Sequence, residues 1–393
     1  MKKYIFLIIS IIAFNACSEE GHKPLNADKG KPAQVSQASA VAIPGGALLS
    51  YRIPDIDDLL AVKAVYTLAD GRQREVMASY FVDTLKIEGF TDTNQHEALL
   101  YTVSRAQTLS DPISVFFTPL ESPLAKIIKS VEIYPDFGGA AFKWINEDNA
   151  LFVFDLLVED DNGYMVSTKV FQNKFDSMEY TIRGYDPAPR RFALNITDQW
   201  GNESGLIYPQ GETVTPIRED KLDKSVMRFM HLDGDSGFNI WGGMDVFMLD
   251  DDMTTFGHST PYDWPPYITI DLGKKTKLSR IVINQRLFSN MYYNGANWSS
   301  FIVSRYAPEG VPPQQVNNAD WNMVLSCNVE KPSGMPLNEC TNEDLRQARQ
   351  GDSFAFPRDM DPTRYVRISV LQTWGFFNYS FNSEITFYGS YTE

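Results

Sequence analysis

The chain has 393 residues, a formal net charge of −15 and 13% aromatic residues. Its apolar fraction of 43% and charged fraction of 22% are typical of well-packed modules and argue against a disordered chain. The negative charge argues against nucleic-acid binding, because phosphate recognition depends on clustered Lys and Arg. A chain of this length has room for about two to four domains.

The amino-terminal segment, residues 1–17, has the pattern of an export signal. Lys2 and Lys3 precede an apolar run, Tyr4 to Phe14, that is too short to span a bilayer comfortably. The segment ends at Cys17, and Ser18 and the acidic pair Glu19 and Glu20 follow directly. We therefore expect this segment to be removed and not to form part of the fold.

The end of this segment resembles the lipobox of bacterial lipoprotein signals, although Phe14 stands where Leu is usual. The resemblance implies that Cys17 is lipidated and that acyl chains hold the mature protein on the outer membrane, each buried methylene contributing about 0.8 kcal/mol. The acidic residues after Cys17 are similar to the export signal of surface lipoproteins in Bacteroidetes and predict the cell surface. The alternative is a plain secretory signal that ends in a cysteine.

Residues 18–40 are small and polar, and they predict a flexible tether. From residue 41 onward, short apolar runs separated by Gly, Pro, Asn and Asp predict strands and turns. The segment Gly45–Tyr51 reappears about 93 residues later as Gly138–Trp144. The repeat predicts two tandem modules, residues 41–122 and residues 123–220, with chance recurrence of turn residues as the alternative.

The length of each repeated module suits an immunoglobulin-like β-sandwich of six or seven strands. Residues 197–204, Thr-Asp-Gln-Trp-Gly-Asn-Glu-Ser, resemble a late-strand turn of fibronectin type III domains. Modules of this class serve as spacers or binding scaffolds. Neither module contains a titratable cluster that indicates chemistry.

The last module, residues 221–393, is again rich in strand patterns. The turn Gly273–Lys277 lies between two apolar runs and predicts an antiparallel hairpin. A hairpin would place the loop that enters Tyr267 and the loop that leaves Arg286 at the same pole of the sheet. Both loops are rich in aromatic residues, as is a third loop, residues 374–379, whose pole the sequence leaves open.

An ordered series of fragments in this module looks like the discoidin, or coagulation-factor C-type, domain, which is galactose-binding-like. The fragments are His231–Asp235 with Trp241, Tyr267–Gly273, Leu278–Ile283, Trp321–Val324, Arg364–Val370 and Ser383–Gly389. The resemblance implies a jelly-roll β-sandwich that binds carbohydrate in a loop-formed pocket. The predicted fold class is therefore all-β: two tandem immunoglobulin or fibronectin-like β-sandwiches followed by a discoidin-like jelly roll.

A carbohydrate site combines an aromatic platform, which packs against the C–H face of a sugar, with planar polar groups that bind hydroxyls. The loops of the last module supply both kinds of residue. The predicted ligand-binding residues are His258, Trp264, Arg286, Tyr292, Asn294, Trp298, Trp374 and Phe376. The alternative for each aromatic residue is a place in the core.

The same resemblance implies a structural calcium ion held by Asp233, Asp235 and Glu384, which would tie the two ends of the domain together. The alternative is a turn capped by Asp side chains without metal. Cys327 and Cys340 are predicted to form a disulfide in an exported protein, with a pair of free buried thiols as the alternative. No organic cofactor is predicted.

The order of lipobox, two sandwiches and discoidin-like end is similar to accessory surface lipoproteins of glycan-utilisation systems in Bacteroidetes. It implies a non-catalytic carbohydrate-binding protein for polysaccharide capture and import, with an oligosaccharide or polysaccharide ligand and an outer-membrane glycan transporter as partner. No catalytic residue is predicted. Two alternatives remain: a structural or protein-interaction component of an outer-membrane complex, and a glycoside hydrolase, which requires two carboxylates facing one cleft.

Overall fold

The computed structural model describes residues 28–261, 264–289, 291–337 and 339–392. The predicted signal peptide, Cys17 and the first part of the predicted tether lie outside the described residues. None of the described helices is long and apolar enough to cross a membrane. The chain divides into two compact units, one comprising residues up to Ile133, Phe142–Tyr180 and Arg191–Glu212, the other comprising Tyr134–Ala141, Thr181–Arg190 and Thr213–Glu393.

The first seven strands belong to the first unit and form two antiparallel sheets, in the orders β1-β2-β5 and β4-β3-β6-β7. Alternate side chains of β2, β3 and β6 are buried in one shared core. The strands are β1 (Ser36–Ile43), β2 (Gly46–Arg52), β3 (Leu59–Thr67), β4 (Gln73–Ser79), β5 (Thr84–Glu88), β6 (His96–Ser104) and β7 (Ile113–Phe117).

The first strand begins inside the predicted tether. Strand β1 starts at Ser36, and the Val35 side chain before it is only 3% exposed. The run Ser-Gln-Ala-Ser-Ala at residues 36–40 contains none of the β-branched or aromatic residues that mark strands in a sequence. Residues 36–40 are therefore part of a sheet and not of a tether.

A short helix and six further strands follow, in two sheets of order β12-β9-β8 and β11-β10-β13. Helix α1 begins after Ser122, whose side chain accepts a hydrogen bond from the Ala125 N–H. In the first unit, Trp144 is stacked on Phe154 at 4.3 Å. The elements are α1 (Pro123–Ser130), β8 (Glu132–Asp136), β9 (Gly139–Ile145), β10 (Phe152–Glu159), β11 (Met165–Asn173), β12 (Ser177–Ile182) and β13 (Phe192–Asp198).

The repeat found in the sequence corresponds to the same backbone arrangement in both copies. Gly45 and Gly138 have φ angles of +64° and +67°, a conformation that favours glycine. The next glycine lies directly against a carbonyl: a Cβ atom would be 2.0 Å from the Ile87 oxygen at Gly46 and 1.8 Å from the Ile182 oxygen at Gly139. The paired glycines thus allow each copy's strand to begin beside its neighbouring strand.

The last module contains a sheet of eight strands, whose main path is β14-β23-β17-β21-β18-β19. Strands β15 and β20 pair with β17, and β16 pairs with β22. The elements are β14 (Asp220–Lys221), β15 (Arg228–Phe229), β16 (Gly257–His258), β17 (Tyr267–Asn284), β18 (Trp298–Tyr306), β19 (Trp321–Asn328), α2 (Asn342–Gln350), β20 (Asp352–Ala355), β21 (Thr363–Thr373), β22 (Phe381–Asn382) and β23 (Glu384–Tyr391).

The predicted hairpin around Gly273 is wrong in its pairing. Within the described residues the two halves of β17 pair with different strands: Tyr267 is opposite Ser369 of β21, and Asn284 is opposite Glu384 of β23. Gly273 has a φ angle of +80°, and the pairing register shifts between Asp271 and Thr276. The chain therefore bends here and changes partners, while both halves of β17 contribute side chains to one core.

The two cysteines of this module are free in the structure, so the predicted disulfide is not formed. Cys327 lies in β19 and is part of the hydrophobic core, where burial raises the pKa of its thiol to about 12. Cys340 lies next to the cap of α2 and is half-buried. The two thiols thus occupy separate environments, one in the core and one beside a helix.

The all-β fold class is confirmed, because strands are the dominant regular structure of the described residues. The module boundaries at residues 122 and 220 stay predictions, as does the discoidin-like character of the last module.

The paired glycines give a test of the repeat. Gly46→Ala and Gly139→Ala each place a Cβ atom 2.0 Å or less from a backbone oxygen, so we expect each to lower the free energy of unfolding by about 1–3 kcal/mol. Urea titration measures the loss. Gly237→Ala is the matched control, since the nearest atom would be Thr260 Oγ1 at 3.7 Å. Equal stability of all three variants would contradict the assignment.

Candidate functional site

A buried amide joins two loops at one end of the last module, the loop of residues 285–297 and the loop that follows β21. Asn297 is fully buried, and its Oδ1 accepts a hydrogen bond of 2.8 Å from the Arg286 N–H. Its Nδ2 donates to the carbonyl oxygens of Arg286 at 2.8 Å and Tyr292 at 2.7 Å. Its own carbonyl oxygen accepts a bond of 3.0 Å from the Trp374 N–H. The loop that contains Arg286 and Tyr292 is therefore closed on itself and fixed against the loop that contains Trp374.

His258 lies in β16, which pairs with β22. The side chain is buried, and its Nδ1 is 3.0 Å from the Ser259 carbonyl oxygen. A carbonyl only accepts hydrogen bonds, so Nδ1 carries the proton and Nε2 of the neutral ring is an acceptor. Burial, followed by the positive charge of Arg286, lowers the pKa of His258. The ring is therefore neutral at neutral pH.

Arg286 lies two residues beyond the end of β17, with its guanidinium against three aromatic rings. The Cζ atom is 3.3 Å from the centroid of the Phe256 ring, 4.9 Å from that of Phe381 and 5.5 Å from that of Phe288. Burial lowers the pKa of Arg286, but a guanidinium remains protonated in a protein. Among the described residues, no side chain forms an ion pair or hydrogen bond with this guanidinium. No carboxylate of the described residues therefore uses its N–H donors.

His258 and Arg286 share a wall of aromatic rings. The His258 ring is 5.6 Å from the ring of Phe381, which Arg286 also contacts. On its other side, Tyr379 is stacked on His258 at 5.2 Å with an interplanar angle of 19°. Trp241 meets both His258 and Tyr379 edge-on, at 4.8 Å and 5.7 Å. A neutral acceptor and a cationic donor are therefore set among apolar ring surfaces.

Trp241 is the exposed member of this cluster, at 67% relative exposure. Its φ angle of +50° lies in the left-handed region, where a bulky aromatic residue is an outlier that costs about 1–3 kcal/mol. Gly243 lets this loop approach strand β16, because a Cβ atom at position 243 would lie 2.7 Å from the backbone nitrogen of His258. Strain of this kind concentrates at functional sites.

Three of the predicted ligand-binding residues are structural. Trp298 is fully buried and packs 5.6 Å from the ring of Phe301. Tyr292 belongs to the same core cluster, and Asn294 is buried with its Nδ2 donating to the Phe288 carbonyl oxygen at 3.1 Å. These side chains shape the loops from inside and do not face solvent.

The other three predicted residues lie near the site but outside the His258–Arg286 pair. Trp264 and Phe376 line an open cleft of about 360 Å³. Trp374 is half-buried, with its ring edge-on to Tyr293 at 5.7 Å. Together with Phe376 it lines a second open cleft of about 420 Å³. The structure therefore brings His258 and Arg286 together and places these three aromatics beside them.

Sequence reasoning did not identify four residues that build the site: Trp241, Phe256, Tyr379 and Asn297. Tyr379 lies in the third aromatic loop and Trp241 in the series of fragments that resembles discoidin domains, so residue type gave a signal for both. Phe256 carries no signal in the sequence. Asn297 acts through hydrogen bonds to backbone atoms, which depend on tertiary structure.

The predicted calcium ligands do not fit a metal site. Asp235 Oδ1 accepts hydrogen bonds of 2.9 Å from Arg367 and from Thr269. Glu384 Oε1 is 2.7 Å from Lys224 Nζ, and Asp233 is bonded to Gln314. In the part of the chain that the structure describes, no three His, Cys, Asp or Glu side chains are grouped to hold a metal ion. Lysine and arginine supply the positive charge that calcium was expected to supply.

The Lys224–Glu384 pair joins the start of the last module to its final strand. Both side chains are buried, at 6% and 3% exposure, and Lys224 Nζ is also 2.7 Å from Asp251. Burial raises the pKa of Glu384 to about 7, while the hydrogen bond and charge of Lys224 act in the opposite direction. The ammonium group thus compensates a carboxylate that would otherwise be costly to bury.

Comparison with protein families gives three matches, all described as domains of unknown function. The DUF4959 model matches residues 32–119, the DUF5126 model residues 120–225 and the DUF5000 model residues 238–389. No curated protein matches the sequence.

Among solved structures, the chain is similar to a SusE-like protein, with 24% identity, 68% of this chain and 98% of that chain covered, and a TM-score of 0.44. It is also similar to a fragment of a chitobiase from Bacteroides thetaiotaomicron, with 13% identity, coverages of 44% and 95%, and a TM-score of 0.31. A third is a chitosan-binding module from Paenibacillus sp. IK-5, with 17% identity, coverages of 40% and 96%, and a TM-score of 0.27.

Replacing Lys224 tests the role of the buried pair. Lys224→Met leaves the Glu384 carboxylate buried without its cation, so we expect the free energy of unfolding to fall by about 3–5 kcal/mol. Lys221→Met is the matched control, because Lys221 also pairs with Asp251 but is 46% exposed, and such pairs contribute about 0–1 kcal/mol. Thermal and urea unfolding measure both. Equal losses would show that the pair does not hold the module together.

Replacing Asn297 tests the junction of the loops. Asn297→Leu leaves the Arg286 N–H and two carbonyl oxygens without partners, and we expect a loss of about 2–5 kcal/mol. Asn322→Ala removes an exposed amide in β19 and should change stability by less than about 0.5 kcal/mol. Urea unfolding of the two variants gives the comparison. An Asn297→Leu variant as stable as the parent chain would show that this amide does not hold the loops together.

Proposed function

We propose that this protein is a non-catalytic, surface-anchored carbohydrate-binding lipoprotein that captures polysaccharide for import. One observation carries the proposal: the cationic donor Arg286 lies on an aromatic wall that it shares with the buried ring of His258, and the exposed ring of Trp241 packs against His258. The arrangement supplies each type of contact that a sugar ring requires.

The side chains of this site suit a polyhydroxylated ring. The exposed face of Trp241 can pack against the C–H face of a sugar. The planar guanidinium of Arg286 can donate in parallel to two adjacent oxygens. His258, which is 3% exposed, supports the rings of Trp241 and Tyr379 from inside. The described side chains that form this site include no Asp or Glu, so the site does not offer the carboxylate pair of glycoside hydrolysis.

Lipidation at Cys17 would keep the protein where polysaccharide arrives, at the cell surface. Binding of single sugar units in a shallow site is weak, and repeated units along a polymer raise the retention through effective concentration. An outer-membrane glycan transporter is the proposed partner, because capture at the surface serves the cell only when the glycan is then imported.

A second candidate function is that of a protein-interaction component. The turn after β4 exposes three adjacent apolar side chains, with Phe81 at 79% exposure, Val82 at 42% and Tyr80 at 36%. Exposed apolar side chains that lie together mark interaction sites. This turn belongs to the first unit, so binding through it would not depend on His258 or Arg286.

Titration of the purified full chain with sugars tests the leading function. Isothermal titration with glucose, galactose, mannose, N-acetylglucosamine, N-acetylgalactosamine and their oligosaccharides should find at least one ligand. Arg286→Ala removes a charge-assisted donor pair, and we expect it to weaken that binding by about tenfold or more. The affinity of Arg286→Lys should lie between those of the parent chain and Arg286→Ala, because an ammonium keeps the positive charge but cannot donate two parallel hydrogen bonds as a guanidinium does.

Two controls separate the candidate functions. Arg52→Ala removes an exposed arginine of the first unit and should leave sugar binding unchanged. Phe81→Ala should leave it unchanged as well, and should weaken binding to a protein partner if the second candidate is correct. Absence of binding to the whole sugar panel would overturn the carbohydrate proposal.

A further inference from the structure

We infer that the ligand is an extended oligosaccharide and that the cleft beside Trp264 and Phe376 is a second subsite, which takes a neutral sugar unit. The inference rests on the proposed function and adds a binding surface to it. Three observations support it: the lining of this cleft, the way in which its aromatic wall is held, and its continuity with the His258–Arg286 site.

The cleft has a volume of about 360 Å³, within the range of small-molecule sites. Its lining combines exposed aromatic rings with side-chain amides and, among the described residues, contains no charged side chain. Phe376 is 76% exposed and Trp264 is 36% exposed. The lining residues are Trp264, Leu371, Gln372, Thr373, Phe376, Phe377 and Asn378.

The chemistry of this lining fits a neutral sugar. Aromatic faces pack against apolar C–H surfaces. The exposed amides of Gln372 and Asn378 each offer both donors and acceptors, as hydroxyl groups require. An anionic ligand would need a cation, and none of the described lining residues supplies one.

The backbone turn that carries Phe376 is held in place by the fold. The Phe376 N–H donates to the Thr373 carbonyl oxygen at 3.1 Å, and the Phe377 N–H donates to Thr373 Oγ1 at 2.9 Å. The Gly375 N–H donates to the Gly295 carbonyl oxygen at 2.6 Å. This network fixes the turn before any ligand arrives, and preorganisation of this kind lowers the entropic cost of binding.

The backbone of Phe376 is strained. Its φ angle of +56° lies in the left-handed region, as does that of Trp241 in the first site. Both residues are large, aromatic and more than two-thirds exposed. A conformation that costs about 1–3 kcal/mol to display an apolar ring to water gives the fold no stability. Ligand contact is the use that accounts for both rings.

The two sites form one surface. Phe377, which lines the cleft, is stacked on Tyr379 at 5.0 Å with an interplanar angle of 28°. Tyr379 is in turn stacked on His258 of the first site at 5.2 Å. A row of rings therefore runs from His258 to the cleft, so a chain of sugar units that occupies the first site is guided along this row.

The decisive variant is Phe376→Gly in the full chain. Glycine adopts the left-handed conformation without strain, so this variant removes the ring and keeps the turn, and it should be at least as stable as the parent. Phe376→Ala is the second variant, because it removes the ring and retains a Cβ atom. Phe81→Ala is the matched control, since it deletes an equally exposed phenylalanine of the first unit.

The probes are cello-, manno-, chito- and galacto-oligosaccharides of one to six units, titrated into each variant by calorimetry. We expect affinity in at least one series to rise with length in the parent chain. Phe376→Gly should remove that rise, weakening the longest ligand by about fivefold to tenfold and leaving the monosaccharide within about twofold. Trp264→Ala should act in the same direction.

Each remaining outcome is distinct. An affinity that does not depend on length, or a rise with length that persists in Phe376→Gly, would overturn the second subsite and leave the proposed function intact. Absence of binding by every series would overturn the proposed function, and the subsite with it. Binding of an uncharged apolar peptide that Phe376→Gly abolishes, without an effect of Phe376→Gly on any sugar, would replace the sugar by a protein partner as the occupant of the cleft.

Discussion

The side-chain amide of Asn297 is the contact on which the binding surface depends. The loop that contains Arg286 and Tyr292 and the loop that contains Trp374 have few backbone ladder bonds of their own, and each must satisfy its polar groups in another way. Asn297 meets this requirement with three side-chain hydrogen bonds and one from its backbone, all within a buried environment. Because an unsatisfied buried group is costly, the amide fixes the loops in one arrangement. Arg286 therefore leaves β17 in a defined direction.

With the loops fixed, the surface can hold side chains in states that do not favour stability. Trp241 and Phe376 display apolar rings from strained backbone, and the guanidinium of Arg286 lies on ring faces without a carboxylate among the described residues. Each of these features has a cost that the large core around β17, β21 and β23 offsets. Their concentration at one end of one module is the physical reason to regard that end as a binding surface.

How far the sequence predicts this surface depends on the kind of evidence each residue carries. His258 and Arg286 are polar residues in aromatic-rich loops, and residue type alone selects them. Trp298 and Tyr292 are aromatic residues of the same loop region, so residue type selects them as well, yet they face the core. The course of the backbone decides which side chains of a loop point inward, and residue type does not reveal it. The turn at Gly273 was predicted, but the predicted pairing was wrong for the same reason. The sequence Gly-Lys-Lys-Thr-Lys predicts a change of direction, but the pairing partners of the two halves are remote in sequence.

At the predicted calcium site, Lys224 supplies the positive charge that the sequence led us to expect from a calcium ion. A buried Glu384 in the closing strand needs a nearby positive charge, and the sequence offers acidic neighbours that suggest a metal ion. The structure meets the need with Lys224, 160 residues earlier in the chain, a pairing that no local pattern could indicate. A covalently attached cation keeps the ends of the module joined without an exchangeable ion. Removing one partner of such a pair is strongly destabilising, because it leaves an uncompensated buried charge. Glu384 lies three residues after Phe381, the ring that His258 and Arg286 share, so the pair with Lys224 holds the strand beside the proposed binding surface.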